Sequence, residues 1–282
     1  MRLEMETAEI FVPDGRPKDD ALVRTTHLAV GAHPDDVEMM AYHGILACFE
    51  RDDRSFCGVV MTDGAACPRS GLYADYSDEQ MRSVRRGEQK KAATVGGYGA
   101  QVMLDYPSSA VKDPANAGPV EDLARVLTVA APEFVYTHSP TDGHDTHVAT
   151  ALRVIEAVRR LPAHARPRRV YGCELWRALD WLVDEDKVAF DVTSRESLQS
   201  SLIGVFDSQV SGGKRYDLAA LGRGRANATY YASHEVDDAE RMSLAMDLTS
   251  VAHDADSDVD GYVQGLIARF AGDVAKRLAR LR

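Results

Sequence analysis

Two short segments concentrate side chains that can bind a metal ion or transfer a proton. The first reads Ala-His-Pro-Asp-Asp-Val-Glu over residues 32–38. Its imidazole and a carboxylate three residues later can converge on one ion, because Zn²⁺ accepts both histidine nitrogen and aspartate oxygen. Adjacent carboxylates rarely point the same way, so one can bind the metal while the other faces a substrate as a base. The alternative is a helix N-terminus, whose dipole favours aspartates.

The second segment, residues 137–147, holds His138, His144 and His147 together with Asp142 and Asp145. Packing does not require this density of histidines. His144 and His147 are three residues apart at the start of a predicted helix, so their rings can face the same space. Together the two segments supply His, Asp and His as ligands and leave a fourth position for water. That is the open arrangement of a hydrolytic zinc site.

Alternating strands and helices are expected to position both segments. Apolar, β-branched runs predict strands over residues 22–32, 55–61, 101–104, 133–137 and 170–175. Helical patterns run from the first segment through Phe49, over 77–95 behind a capping box at Ser77, and over 120–130 and 147–160. This order predicts an α/β fold that is Rossmann-like, with a mostly parallel sheet and helices on both faces. Such sheets bind ligands at the carboxyl ends of their strands, where both segments fall.

The two ends of the chain have weaker patterns. Residues 1–20 carry two prolines and many charges, which predicts an N-terminal arm. Residues 21–282 are expected to form a single domain, with a core over about 21–175 and a C-terminal elaboration over about 176–282. Within the elaboration, a strand is expected near 190–192 and helices over 195–206 and 259–281.

Composition excludes several classes of protein. The 282 residues include 33 Lys and Arg against 44 Asp and Glu, a net charge of −11, which argues against a nucleic-acid partner and a polybasic membrane-surface protein. No apolar run approaches the roughly 18 residues of a membrane span, and the first 20 residues lack the apolar region of a secretory signal. Four cysteines without a Cys-x-x-Cys pair predict reduced thiols and a cytoplasmic location. A homo-oligomer remains open.

The first segment, followed about 110 residues later by His-x-x-His, resembles the LmbE-like (PIG-L) family of zinc-dependent N-acetylglucosaminyl deacetylases. The resemblance covers roughly the first 175 residues. It implies His33, Asp36 and His147 as zinc ligands and Asp35 as the general base. It implies His144 as the group that stabilises the oxyanion or protonates the departing amine. The implied reaction uses metal-activated water to remove acetyl from a small-molecule amino sugar; Fe²⁺ is an alternative metal.

The sequence departs from the family pattern near both motifs. Thr146 stands where the family has the carboxylate that orients the acid histidine, and Asp142 or Asp145 is the candidate substitute. Tyr42 and His43 stand where a small pair, often Gly-Gly, is usual. Asp142 also stands where some members carry tyrosine. These differences bear on the substrate more than on the metal.

The candidate substrate-binding residues each have a structural alternative. They are Arg85, Asp63, Tyr42, Asp142 and Arg223. A solvated helix face is the favoured alternative for Arg85, and an Asp-Gly turn is an equal alternative for Asp63. Arg223 lies in a basic, glycine-rich stretch, residues 211–225, which suits a substrate phosphate or carboxylate or is a flexible surface loop. Two other functions stay open: a metal-dependent hydrolase of a non-sugar amide, and a non-catalytic sugar-binding protein on the same fold.

Overall fold

An eight-stranded sheet runs through the protein, and the computed structural model describes residues 1–282. The order across the sheet is β1-β4-β3-β2-β5-β6-β8-β7. The strands are β1 (Glu9–Phe11), β2 (His27–Gly31), β3 (Phe56–Thr62), β4 (Ala100–Tyr106), β5 (Phe134–His138), β6 (Arg169–Cys173), β7 (Val188–Asp191) and β8 (Met242–Asp247).

Twelve α-helices connect and cover these strands. They are α1 (Lys18–Val23), α2 (Asp36–Met40), α3 (Tyr42–Cys48), α4 (Asp78–Val95), α5 (Ser108–Lys112), α6 (Gly118–Ala130), α7 (Asp145–Arg160), α8 (Glu196–Gly204), α9 (Asp207–Val210), α10 (Tyr216–Tyr230), α11 (Thr249–His253) and α12 (Val259–Leu281). Ser77 and Gln80 form the expected capping box at the start of α4. None of the helices combines the length and the apolar character that crossing a membrane requires.

The sheet is mixed rather than purely parallel, and the predicted parallel arrangement holds in its centre. The five central strands β4, β3, β2, β5 and β6 are parallel to one another. β1 joins β4 antiparallel at one edge, and β8 and β7 extend the other edge antiparallel. The central strands are buried on both faces and therefore read as continuous apolar runs. Strands added at an edge are free of the βαβ crossover that fixes direction in the centre.

Two local predictions are wrong at element boundaries. Leu22 and Val23 belong to α1 rather than to the first predicted strand, because a short apolar run does not distinguish a buried helix turn from a strand. The helix predicted through Phe49 is two helices that meet at Ala41. Within the segment expected to be an N-terminal arm, residues 9–11 form strand β1.

Helices cover both faces of the sheet, as predicted. One apolar core of 33 buried residues joins the sheet to α1, α6, α7 and α11, as at Leu22, Val126 and Val154. The other, of 19 buried residues, joins it to α3, α4 and α8, as at Ile45 and Leu202. The sheet is thereby held from both sides, with the carboxyl ends of its central strands at one edge.

Two buried histidines, His27 and His43, make the free energy of unfolding sensitive to acid. Burial lowers the pKa of His27 and of His43 to about 4. The His43 ring stacks on Phe190 with centroids 4.1 Å apart, and its Nδ1 lies 3.1 Å from the Tyr136 hydroxyl. Because the histidine pKa is about 6.5 in the unfolded chain, the unfolded chain binds more protons than the folded chain between about pH 6.5 and pH 4. The free energy of unfolding is therefore highest above about pH 6.5 and falls as the pH drops toward 4.

We expect His43→Phe to reduce this loss of stability. The variant keeps the stacking on Phe190 and removes one titrating group, whose contribution to the slope is at most about 1.4 kcal/mol per pH unit. Urea unfolding at pH 7.5 and pH 5 measures the difference. The same substitution at the exposed His164 should leave the slope at the wild-type value. An unchanged slope in His43→Phe would contradict the assignment.

Candidate metal centre and active site

The candidate site lies where the chain order reverses across the sheet. From β2 the chain proceeds through β3 and β4 to one side, then returns to pair β5 with the other side of β2. Crevices at such a switch point, outside the carboxyl ends of the strands, are the usual ligand sites of open α/β sheets. The loop after β2 carries residues 32–35 and leads into α2, and the loop after β5 carries residues 139–144 and leads into α7.

Three predicted ligands bring donor atoms to one point. Asp36 Oδ2 lies 3.2 Å from His33 Nδ1 and 3.4 Å from His147 Nε2, and the two ring nitrogens are 3.2 Å apart. Ligand atoms around a tetrahedral zinc ion at bond lengths near 2 Å are separated by roughly 3.3 Å. Asp36 Oδ2 also accepts a hydrogen bond from the His33 backbone N–H at 2.7 Å, which fixes the loop. The donor set therefore fits a divalent metal ion.

Asp36 and His147 shift each other's pKa in opposite directions. Burial alone would raise the pKa of Asp36, but His147 and His138 outweigh it and hold that pKa well below its usual range. Burial would lower the pKa of His147, and the carboxylates of Asp36 and Asp142 raise it instead. A carboxylate that stays ionised in a buried position is ready to ligate a cation.

His138, at the end of β5, is a fourth side chain at this point that has no assigned role in the sequence prediction. Its Nε2 lies 3.3 Å from Asp36 Oδ2, and its ring stacks on His147 with centroids 3.9 Å apart. The Ala32 backbone N–H donates to the same Nε2 at 2.9 Å, so that nitrogen's lone pair is occupied. Burial lowers the pKa of His138 to about 4. His138 thus stays neutral and packs behind His147.

Asp142 lies behind the centre rather than in the pocket. Its Oδ1 is 3.2 Å from His147 Nδ1 and accepts the His144 backbone N–H at 3.0 Å, while its Oδ2 accepts the Trp176 N–H at 3.0 Å. Carboxylates in this position orient metal-binding histidines. Asp142 therefore lies beside the predicted ligand His147 and does not line the cavity described below, although the sequence offered it as a substrate contact.

His144 is oriented by the backbone instead of by a carboxylate. As the N-cap of α7, its Nδ1 accepts the Thr146 backbone N–H at 3.3 Å. A neutral imidazole that accepts at Nδ1 carries its proton on Nε2. Burial, with His147 and His33 nearby, lowers the pKa of His144 and favours this neutral form. The backbone N–H group of Thr146 thus orients His144, which is the task of the carboxylate that the family carries at this position.

Asp35 and Arg85 form a buried ion pair on the opposite side of the centre. Asp35 Oδ2 lies 3.1 Å from Arg85 Nη2, and the guanidinium also donates to the carbonyl groups of Pro34 and Gly64. Burial raises the pKa of Asp35 well above its usual range, although Arg85 opposes the shift. Asp35 adopts φ 104°, which is uncommon outside glycine and typical of a functional turn.

These groups face a cavity of about 210 Å³. Its floor is formed by His33, Asp35, Asp36, His144 and His147. Its walls include Met39 of α2, two side chains of the loop after β3, and four of the C-terminal elaboration. The loop supplies Cys67 and Pro68, and the elaboration supplies Trp176, Gln209, Lys214 and Tyr216. The elaboration therefore closes a site whose chemical groups come from the core.

Residues 28–158 match the PIG-L family, which is described as GlcNAc-PI de-N-acetylase. These residues form a PIG-L domain. The matched range includes all five groups on the floor of the cavity. No curated protein matches the sequence.

Three solved structures are similar to this chain. N,N′-diacetylchitobiose deacetylase from Pyrococcus horikoshii gives a TM-score of 0.62 at 17% identity, over 88% of this chain and 92% of its own. The A40926 pseudoaglycone deacetylase gives 0.58 at 18%, over 79% and 97%. The 4-carboxy-2-hydroxymuconate hydratase from Pseudomonas putida KT2440 gives 0.58 at 18%, over 79% and 96%. At these identities the likeness establishes the fold, and the fold alone does not select the reaction.

A buried polar network supports the strained turn of the PIG-L domain. Gln89 Oε1 accepts the Asp35 backbone N–H at 3.3 Å, and Gln89 Nε2 donates to Glu38 Oε1 at 2.8 Å. The Tyr98 hydroxyl donates to the same Glu38 oxygen at 2.9 Å. Burial raises the pKa of Glu38 to about 7. Nothing in the motifs predicts this support, and the only signal for it in the sequence is a glutamate and a glutamine among apolar neighbours.

Two predicted substrate contacts of the PIG-L domain lie away from the cavity. Tyr42 is buried and its hydroxyl donates to the Arg195 carbonyl at 2.8 Å, so its bulk joins α3 to the start of α8. Asp63 accepts the Ala65 N–H at 3.0 Å within a turn, which is the structural alternative. Arg85 does line the cavity, and Arg223 lines the cavity next to it.

Proposed function

We propose that this chain is a zinc-dependent hydrolase that removes the acetyl group from an N-acetylated amino sugar. The observation that supports it most directly is the convergence of His33 Nδ1, Asp36 Oδ2 and His147 Nε2 within 3.4 Å. A buried carboxylate and a neutral imidazole flank that point, and clusters with perturbed pKa values in a cleft are typical of catalytic sites. The PIG-L domain favours amide hydrolysis over other metal-assisted reactions.

In this mechanism His33, Asp36 and His147 would hold the metal. When bound, a zinc ion lowers the pKa of water and polarises an amide carbonyl. Asp35 accepts the proton of the water that attacks the acetamide carbon, and Arg85 keeps its carboxylate in place. His144 donates a hydrogen bond from its Nε2–H to the carbonyl oxygen as negative charge develops there, and Asp35 passes the proton that it took from water to the departing nitrogen, which gives the free amine and acetate.

We further propose that residues 21–282 act as one functional domain in the cytoplasm. Walls of the cavity come from both the core and the elaboration, so neither part encloses a substrate alone. All four cysteines are free thiols and three are buried, which suits a reducing compartment. Cell fractionation tests the location: recovery mainly in a secreted fraction would reject it.

An amine-release assay tests the proposed reaction. Zinc-loaded protein is incubated with N-acetylglucosamine, its phosphates, its short oligomers and its inositol conjugate, and free primary amine and acetate are both quantified. We expect equal amounts of the two products from at least one substrate and none after treatment with a chelator. Zinc-loaded protein that releases acetate from non-sugar acetamides alone would favour the other amidase. Zinc-loaded protein that releases nothing from any substrate would reject the proposal.

The C-terminal helix α12 supports a proposal about assembly. Its outer half exposes apolar side chains at spacings of three and four residues, at Ile267, Phe270, Val274, Leu278 and Leu281. Its two ends carry opposite charge, with Asp254, Asp256, Asp258 and Asp260 before the first turn or in it, and Lys276, Arg277, Arg280 and Arg282 at the end. We propose that two copies pair these helices antiparallel, because that arrangement joins each basic end to an acidic one.

Sedimentation analysis checks this pairing. We expect a dimer for the wild-type chain and a 30.9 kDa monomer for Leu278→Glu, since a charge in the apolar stripe prevents burial. Ala279→Glu, one position along the same exposed helix, is the matched control and should remain a dimer. A monomeric wild-type chain at micromolar concentration would reject the proposal.

A further inference from the structure

A second cavity adjoins the one that holds the candidate metal centre. It has a volume of about 290 Å³ and shares Met39, Trp176, Lys214 and Tyr216 with its neighbour. We call it the annex. Its outer side is formed by residues of α10, the helix that carries Ala219 and Arg223. Because the two cavities share a wall, one ligand can occupy both.

The walls of the annex are mainly apolar. Six of its nine lining residues are hydrophobic, and the Trp176 side chain stays 46% exposed at the boundary with the metal cavity. An exposed indole that faces an empty apolar space is a typical binding surface for a planar or aliphatic group. An apolar group matches such walls better than the hydroxyl-rich edge of a sugar does.

The charged side chains of the annex are all cationic. They are Lys214, Arg215 and Arg223, and no carboxylate lines the space. Arg215 is paired with Asp217, with its Nη2 2.7 Å from the carboxylate. Lys214 has no ion-pair partner, and its Nζ lies 5.2 Å from the centre of the Trp176 ring. In a chain of net charge −11, an unpaired cation shared by both cavities indicates a negatively charged ligand.

Arg223 is already held in position for such a ligand. Its Nη1 donates to the carbonyl of Leu175, which fixes the guanidinium at the wall of the annex. Ala219 lies one helical turn before it on α10, so the small side chain leaves open space beside the guanidinium. A fixed guanidinium donates further hydrogen bonds to a carboxylate or phosphate at low entropic cost.

We propose that the annex binds the part of the substrate beyond its acetamido sugar, and that this part is an apolar group bearing an anion. The proposal rests on the proposed deacetylation for its assignment to the substrate. The acetyl group ends at its methyl, so any extension belongs to the sugar side of the amide. The annex thereby selects an N-acetylglucosamine conjugate with an acidic aglycone over the free sugar.

A series of substrates tests the selection. The holoenzyme is assayed with the methyl, phenyl and 4-carboxyphenyl glycosides of N-acetylglucosamine. Burying a phenyl ring should raise kcat/KM about tenfold over the methyl glycoside, and the carboxylate should raise it about tenfold again. Ala219→Trp fills the annex, so both increases should vanish. Lys214→Met should remove only the increase due to the carboxylate.

A binding measurement separates this proposal from the proposed reaction. Calorimetric titration uses 4-carboxyphenyl and 4-phosphonooxyphenyl glucosides, which lack the acetamide and are not substrates. We expect at least one of them to bind the wild-type chain and neither to bind Ala219→Trp, and the tighter one identifies the anion. Binding without turnover of any glycoside would reject the deacetylase and keep the annex. Turnover with equal kcat/KM for all three glycosides and no binding would reject the annex and keep the deacetylase.

Discussion

Asp35→Asn should retain the metal and the fold while kcat falls by about 10²–10⁴, the usual contribution of a general base. The amide cannot accept a proton from water, whereas its oxygen can still accept the Arg85 hydrogen bond that now meets the carboxylate. Asparagine also tolerates the positive φ of this position better than most residues do. Steady-state kinetics, with metal content measured on the same sample, checks the result.

Two companion variants make the Asp35 result interpretable. Asp63→Asn carries the same change in a turn outside the cavity and should keep wild-type kcat. Asp35→Ala should lose both activity and stability, because alanine adds strain at φ 104° and leaves Arg85 without its buried partner. A kcat within tenfold of wild type for Asp35→Asn, with metal bound, would show that another group takes the proton.

The sequence could predict that His33, Asp36 and His147 lie close together, because the relations among them are simple. His33 and Asp36 are three residues apart, and the loops that carry them and His147 follow β2 and β5, which are neighbours where the chain order of the sheet reverses. The resemblance to the PIG-L family assigned roles to the same positions. Fold class and most core elements followed from apolar periodicity in the same way.

The supporting contacts could not be predicted, because they join residues far apart in the chain. Gln89 reaches Asp35 across 54 positions, and Arg85 reaches Asp35 across 50. The pairing of β1 with β4 likewise joins residues about 90 positions apart, and nothing local in the short N-terminal segment specifies which sheet edge it joins. The direction of a side chain could not be predicted either. Asp142 and Tyr42 lie near the motifs in the sequence, yet both side chains point into the interior of the protein.

Asp142 shows how a departure from the family pattern is accommodated. One carboxylate contacts His147 Nδ1 and accepts the backbone N–H groups of His144 and Trp176. It therefore connects the predicted ligand, the predicted acid and the first wall of the annex. The Thr146 N–H orients His144 from the other side, so no carboxylate is needed at that position.

His147→Ala should abolish metal binding, and it is the variant with the largest expected effect on the centre. Two groups of three side chains could hold an ion, and His147 belongs to both. In one group it is joined by His33 and His144, and in the other by Asp36 and His138. Its removal deletes one of three predicted ligands and takes away the side chain that most lowers the pKa of Asp36. We expect metal affinity to fall by more than about 100-fold, beyond the range of outer-partner substitutions, with activity lost in parallel.

His138→Gln is the matched control, and it separates the two groups. Glutamine can still accept the Ala32 N–H that now occupies His138 Nε2, so the loop should keep its shape. If His33, Asp36 and His147 are the ligands, this variant should bind metal within about tenfold of wild type, and His33→Ala should not. Metal content by mass spectrometry, with circular dichroism to confirm folding, measures all three variants. Loss of metal from His138→Gln but not from His33→Ala would assign the ion to the buried group of Asp36, His138 and His147. The ion would then lie behind His33 and would not line the cavity directly.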